Sequence, residues 1–266
     1  MIKRFKNCFC FTTLVILAAG FLIWSSCEID FAEKEIESLD FSSYLKFKKK
    51  QPETEQFEFK VKKPEIISKF VDFEIFFISQ APYAIWDELH DHACEEAAII
   101  MVYYYLTEQE LNIETAEQEI LNMVDWQIKN WGGHFDLSAK KIVELFENYY
   151  GSTLLTTSGY ENLEIIYPHT KDLVVGVKKE LHKGNPIIVP AAGRLLGNPN
   201  FTPPGPLYHI LVIKGYDDEK SEFITNDPGT RRGADFRYNY QVLENAIHDL
   251  NNGDILNGRK AMIVIK

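Results

Sequence analysis

The chain has 266 residues, of which 45% are hydrophobic, 25% charged and 13% aromatic, a composition that builds a packed core and excludes collagen-like, low-complexity and coiled-coil architectures. The 28 Lys and Arg face 39 Asp and Glu, for a formal net charge of -11. No basic footprint for a phosphate backbone exists, so no nucleic-acid partner is expected.

In chain order, Lys3, Arg4 and Lys6 precede an apolar run from Cys8 to Trp24 whose only polar members are Thr12 and Thr13. This pattern predicts a signal or membrane anchor over residues 1–27. The basic flank places the N-terminus in the cytoplasm and the rest of the chain outside, anchored, or secreted if the segment is cleaved. Residues 28–66 are charged and mixed, with Lys48-Lys49-Lys50 and Lys63-Pro64, and read as a stalk or linker with a short strand at Phe57 to Val61. Three of the four cysteines, Cys8, Cys10 and Cys27, lie in or beside the apolar run. That leaves Cys94 as the lone thiol of residues 67–266, with no disulfide framework and no Cys-x-x-Cys zinc motif.

From residue 67 the pattern is that of an α+β domain. Phe73 to Ser79 is a strand candidate ending at Gln80-Ala81-Pro82-Tyr83. Behind Asp91 as N-cap, Ala97, Ala98, Met101, Val102 and Tyr105 have the spacing of a core-facing helix, with Cys94 in its first turn. Further helices are expected at Thr115 to Ile128 and at Leu137 to Tyr150, the latter ended by Gly151. Another runs from Lys171 to Lys183, stops at Gly184 and feeds the strand Pro186 to Ala192. The Gly-, Pro- and Asn-rich loop Gly193 to Leu207 is too long for a plain connection. The strands Tyr208 to Gly215 and Glu222 to Asn226 form a hairpin, followed by a helix at Tyr240 to Leu250 and a strand at Lys260 to Ile265.

A thiol nucleophile acts as thiolate, and the first turn of a helix favours that charge through its unsatisfied N–H groups. It also needs an imidazole, held by a third group. With a hairpin turn centred near Asp218, His209 falls opposite Asp227 to within one residue, which suits a carboxylate fixing a histidine tautomer. Taken singly, His209 reads as a core histidine and Asp227 as a turn-initiating residue before Pro228.

The order Cys, His, acid is papain-like. The elements Gln80-Ala81-Pro82-Tyr83, Trp86-Asp87, His92-Ala93-Cys94-Glu95-Glu96-Ala97, Tyr208-His209 and Asn226-Asp227-Pro228-Gly229 together resemble the peptidase C39-like family, over residues from about 70 to 266. The resemblance implies a papain-like fold, with an N-terminal helical half carrying the nucleophile helix packed on a C-terminal antiparallel sheet. It also implies Cys94 as nucleophile, His209 as general base and acid, Asp227 as its orienter and Gln80 as oxyanion-hole donor beside the Cys94 N–H. Family members commonly carry Cys-Gly-Pro where this chain has Cys94-Glu95-Glu96; two carboxylates there suit the helix dipole but oppose a thiolate.

The expected activity is hydrolysis of a peptide or cell-wall amide through a Cys94 thioester. No cofactor or metal is expected. The alternatives are a non-catalytic module of the same fold that binds peptide or cell-wall material, and a zinc site from His90, His92, Cys94 and His134, which a helical Cys94 disfavours. Oligomeric state is not legible.

Overall fold

A computed structural model describes residues 68–157 and 162–266. The N-terminal apolar run, the stalk and the expected strand Phe57 to Val61 lie outside the described residues. Among the described residues no helix is long and apolar enough to cross a membrane.

One antiparallel sheet organises the domain. Its strands are β1 (Phe70–Asp72), β2 (Leu163–Ile166), β3 (Ile187–Ala192), β4 (Tyr208–Asp217), β5 (Glu222–Asn226), β6 (Phe236–Asn239) and β7 (Met262–Ile265), in the order β2-β7-β3-β4-β5-β6, with β1 also paired to β4. The central strand β4 is buried along its whole length. Its first half pairs with β3, and its second half with β1 and β5.

The helices are α1 (Glu88–Asp91), α2 (Cys94–Leu106), α3 (Ile113–Trp131), α4 (Ala139–Thr157), α5 (Leu173–His182) and α6 (Tyr240–Ala246). Successive strand residues point to opposite faces, so each face builds its own core. Ile188, Ile210, Val212 and Ile263 pack with Ala98, Val102, Ile120 and Phe146 of α2 to α4. Val189, Leu211, Ile213 and Val264 pack with Leu173, Val177 and Leu181 of α5 and Leu243 of α6. The α+β class is as expected from sequence, and the helical half does carry Cys94 onto the sheet. The added feature is that α5 and α6 cover the opposite face.

Several boundaries differ, each for a local reason. Phe73 to Ser79 is extended but outside the ladder: after Phe73 N–H bonds Lys214 O, the chain leaves the sheet, and the Asn226 side chain takes the Ile75 carbonyl. Asp91 does not cap α2; it closes α1, whose N-cap is Asp87, and α2 starts after Ala93 without a side-chain cap. Gly151 does not end α4, because it keeps a right-handed backbone, whereas Gly132 after α3 adopts φ +81 and does terminate. The last helix stops at Ala246, four residues early, where Ile247 turns to extended backbone and bridges Ala191. The hairpin carries a bulge at Lys214, between Ile213 and Gly215, and beyond it Val212 pairs with Asn226. Extending that register sets Gly229, not Asp227, across from His209. Strands β1, β2 and β6 and helix α1 were not expected.

On the β1 side of β4 two backbones come close at Gly215: a Cβ there would lie 2.2 Å from Val71 O. Gly215→Ala is therefore expected to lower stability by about 1–3 kcal/mol through overpacking, seen as a lower urea midpoint. An unchanged midpoint would mean that β1 does not press on β4.

Candidate active site

The structure brings all four sequence-predicted residues to one cleft. Gln80, Cys94 and His209 line a cavity of about 420 Å³ together with Trp86, Asp136 and Gly229, and Asp227 stands directly behind His209.

The histidine side is fully built. His209 lies on β4, 1% exposed, and its Nε2 meets Asp227 Oδ1 at 2.7 Å. This fixes the ring's orientation and leaves Nδ1 as the ring nitrogen not engaged by Asp227. Asp227 is completely buried, and its carboxylate also accepts from the Tyr238 hydroxyl at 2.6 Å, Asn198 Nδ2 at 3.0 Å and Gly229 N–H at 3.0 Å. Burial alone would raise the Asp227 pKa. His209, Tyr238 and Asn198 outweigh it and hold the carboxyl below its ordinary value. The Phe201 ring stands edge-on to His209 at 5.4 Å. Gly229 has to be glycine here, since a Cβ would lie 2.8 Å from His209 Cε1.

Asn198 and Tyr238 were not singled out from the sequence. The only signal for Asn198 was the length of the loop that carries it, and β6, which carries Tyr238, had no strong strand pattern.

The thiol side is more guarded. Cys94 is the first residue of α2, 4% exposed. Its Sγ donates to Glu95 Oε2 at 2.9 Å, while Glu95 Oε1 accepts the Leu137 N–H at 2.7 Å. Glu95 and Glu96 therefore point inward, not to solvent. Glu96 accepts from Gln127 Nε2 and lies 3.5 Å from His134 Nε2. Burial, reinforced by the Glu95 carboxylate, pushes the thiol pKa well above its usual value. Burial, reinforced by Glu96, likewise raises the Glu95 carboxyl. For His134 burial works against the charged form, but Glu96 prevails and the net shift is upward.

Gln80 stands at the cleft but gives its side-chain amide to two backbone carbonyls, His90 O at 2.8 Å and Asp91 O at 3.1 Å. An oxyanion role would require one of these bonds to be released. The zinc constellation does not assemble: His90 is turned to Asp87 Oδ1 at 2.7 Å and Glu117 Oε1 at 3.2 Å, and no group of three metal-ligating side chains converges among the described residues.

A family model described as the Peptidase_C39 like family matches residues 74–250. The chain belongs to that family. The C39-like match spans the cysteine helix, the His209 strand and Asp227 alike. Among solved structures, the C39-like chain resembles a C39-like peptidase from Bacillus anthracis, at 12% identity and a TM-score of 0.48, covering 75% of this chain and 98% of that one. It also resembles xylellain, a cysteine protease from Xylella fastidiosa, at 15% identity and a TM-score of 0.44, covering 77% and 90%. No curated protein matches.

Two outcomes follow from the Glu95 contact. In Glu95→Gln, the pH midpoint for iodoacetamide modification of Cys94, followed on its own peptide by mass spectrometry, is expected to fall, because Glu95 raises the thiol pKa both through its charge and through its hydrogen bond. An unmoved midpoint would show that Glu95 does not govern the thiol. Because the Glu95 carboxyl is raised above its unfolded value of 4.5, the native state binds the extra proton, and stability falls as pH rises above 4.5 through the raised pKa. Glu95→Gln should flatten that part of the urea-midpoint profile; a slope identical to wild type would count against a protonated buried Glu95.

Proposed function

We propose that this C39-like protein is a cysteine peptidase or amidase, acting outside the cytoplasm, in which Cys94, His209 and Asp227 carry acyl transfer. The observation that carries the reading is the His209–Asp227 contact of 2.7 Å, wholly buried and supported by Asn198 and Tyr238, opening on the same cleft as Cys94. A core histidine needs no oriented carboxylate behind it; a general base does. The extracellular placement rests on Lys3, Arg4 and Lys6 before the apolar run.

In this mechanism the Cys94 side chain turns from Glu95 toward His209 Nδ1, which takes the thiol proton. The thiolate attacks the substrate carbonyl carbon, and the negative charge on its oxygen is met by the Cys94 N–H at the uncapped start of α2, joined by Gln80 if its amide swings from the 90–91 carbonyls. Collapse breaks the C–N bond, the proton on His209 passes to the leaving nitrogen, and a thioester remains. Water then attacks the thioester, His209 accepts its proton, and the thiol is restored as the acid product leaves.

The low exposure of Cys94 and its bond to Glu95 favour a second reading, a module of the same fold that binds a peptide or cell-wall amide without cleaving it. A mixed peptide library incubated with the full chain under reducing conditions decides between them. Cleavage that is abolished in Cys94→Ala and His209→Ala, and reduced about a hundredfold or more in Asp227→Asn, supports the peptidase. Cleavage that survives Cys94→Ala, or binding without any turnover, overturns it.

A further inference from the structure

A second cavity, of about 670 Å³, opens beside the catalytic cleft and shares Trp86, Thr202 and Gly229 with it. Its remaining wall holds Pro199, Asn200, Thr230, Arg231 and Arg232. No carboxylate lines it, in a chain whose net charge is -11. Arg231 and Arg232 are exposed, and neither pairs with an acidic side chain among the described residues. On the other flank of the catalytic cleft carboxylates outnumber cationic groups: Asp91 and Asp136 line the cleft itself beside His92, and Asp87, Glu88 and Asp136 line the groove that continues from it beside His92 and His134.

The arginine loop is fastened to the catalytic carboxylate. Gly229 N–H donates to Asp227 Oδ1, Asp227 N–H donates to Gly233 O at 3.0 Å, and Pro228 O accepts from Gln80 N–H at 3.0 Å. Gly233 packs so closely that a Cβ would lie 1.7 Å from Asp227 O. The Arg232 N–H is held by Thr230 Oγ1 at 3.2 Å. The guanidinium groups thus spring from a backbone whose position is tied to that of His209.

We propose that this basin recognises a carboxylate on the leaving-group side of the scissile bond, supplied by the substrate's C-terminus or by an acidic side chain. The proposal rests on the peptidase reading for its orientation. The leaving nitrogen has to reach His209 to be protonated, and the basin meets the cleft at Gly229, in contact range of the His209 ring. The acyl portion then extends past Cys94 toward Asp136 and His92, where an anion would be repelled. A guanidinium group suits a carboxylate because its planar N–H donors match the two oxygens, and this wall carries two of them.

The test uses alanine–glycine hexapeptides, each made as the C-terminal acid and the C-terminal amide, with a single Asp or Asn moved through the sequence. Wild-type full chain is expected to prefer acid over amide, or Asp over Asn on the leaving side, by at least tenfold in kcat/KM. The arm that responds identifies the source of the carboxylate. The preference should collapse to within twofold in Arg231→Gln/Arg232→Gln, persist in part in Arg231→Lys/Arg232→Lys, and shrink between 0.1 M and 1 M salt, where screening shortens from about 10 Å to about 3 Å.

The same peptides titrated into full-length Cys94→Ser separate this idea from the catalytic one. An arginine-dependent preference in binding without hydrolysis by wild type keeps the anion basin and removes the peptidase. Equal affinity for acid and amide together with equal affinity for the Asp and Asn peptides, no binding of any peptide, or a preference that survives the Gln variant overturns the basin whatever the turnover.

Discussion

A single buried carboxylate, that of Asp227, holds the site together. Removing a carboxylate from water is costly unless its lone pairs are filled. Asp227 fills them with the His209 ring, the Tyr238 hydroxyl, the Asn198 amide and the Gly229 N–H. Those four groups come from β4, β6, the loop after β3 and the turn after β5. The same desolvation that would be costly for an unpaired charge strengthens each of these bonds, so segments far apart in sequence are locked to one point. His209 is thereby held in one orientation.

The cysteine side is arranged on the opposite principle. Where the histidine is pre-oriented, the thiol is bonded to Glu95, one of two inward glutamates in the first turn of α2. Glu95 ties the thiol to the Leu137 N–H at the entrance to α4, and Glu96 ties α2 to Gln127 of α3 and to His134 beyond it. The pair does structural work, joining three helices around the start of α2. Glu95 also favours the neutral thiol. Small residues at Cys94+1 and +2 would not impose that choice.

The sheet gives both sides a common reference. β4 carries His209 on a strand clamped by β3 on one edge and buried by helices on both faces, so the imidazole has little freedom to drift. α2 packs its start and its apolar side onto the same sheet through Ile210 and Val212. Cysteine and histidine therefore share one rigid frame, while the loop from Gly193 to Leu207 supplies Phe201, Thr202 and Leu207 as a cleft wall and reaches back through Asn198 to the pin at Asp227.

Most of the long, strongly patterned elements were legible before any coordinates: α2, α3, α5, β3, β4 and β5 follow from apolar periodicity, which is a local property of the chain. Cys94, His209 and Asp227 could be singled out as candidates because each sits in a short motif, and the fold brings them together. The pairing of His209 with Asp227 was right although the register behind it was wrong. The bulge at Lys214 shifts the hairpin, and contact is restored because Asp227 lies past the end of β5, where its side chain is not bound to the ladder. Short elements such as β1, β2 and β6 have too few residues to show a period, and they exist because β4, β5 and β7 offer edges to pair with. The direction of Glu95 and Glu96 was likewise undecidable along the chain, since a first-turn carboxylate is ordinarily solvated. Only the tertiary structure, by packing α3 and the entrance to α4 against α2, turns both into the interior and sets the state of the thiol.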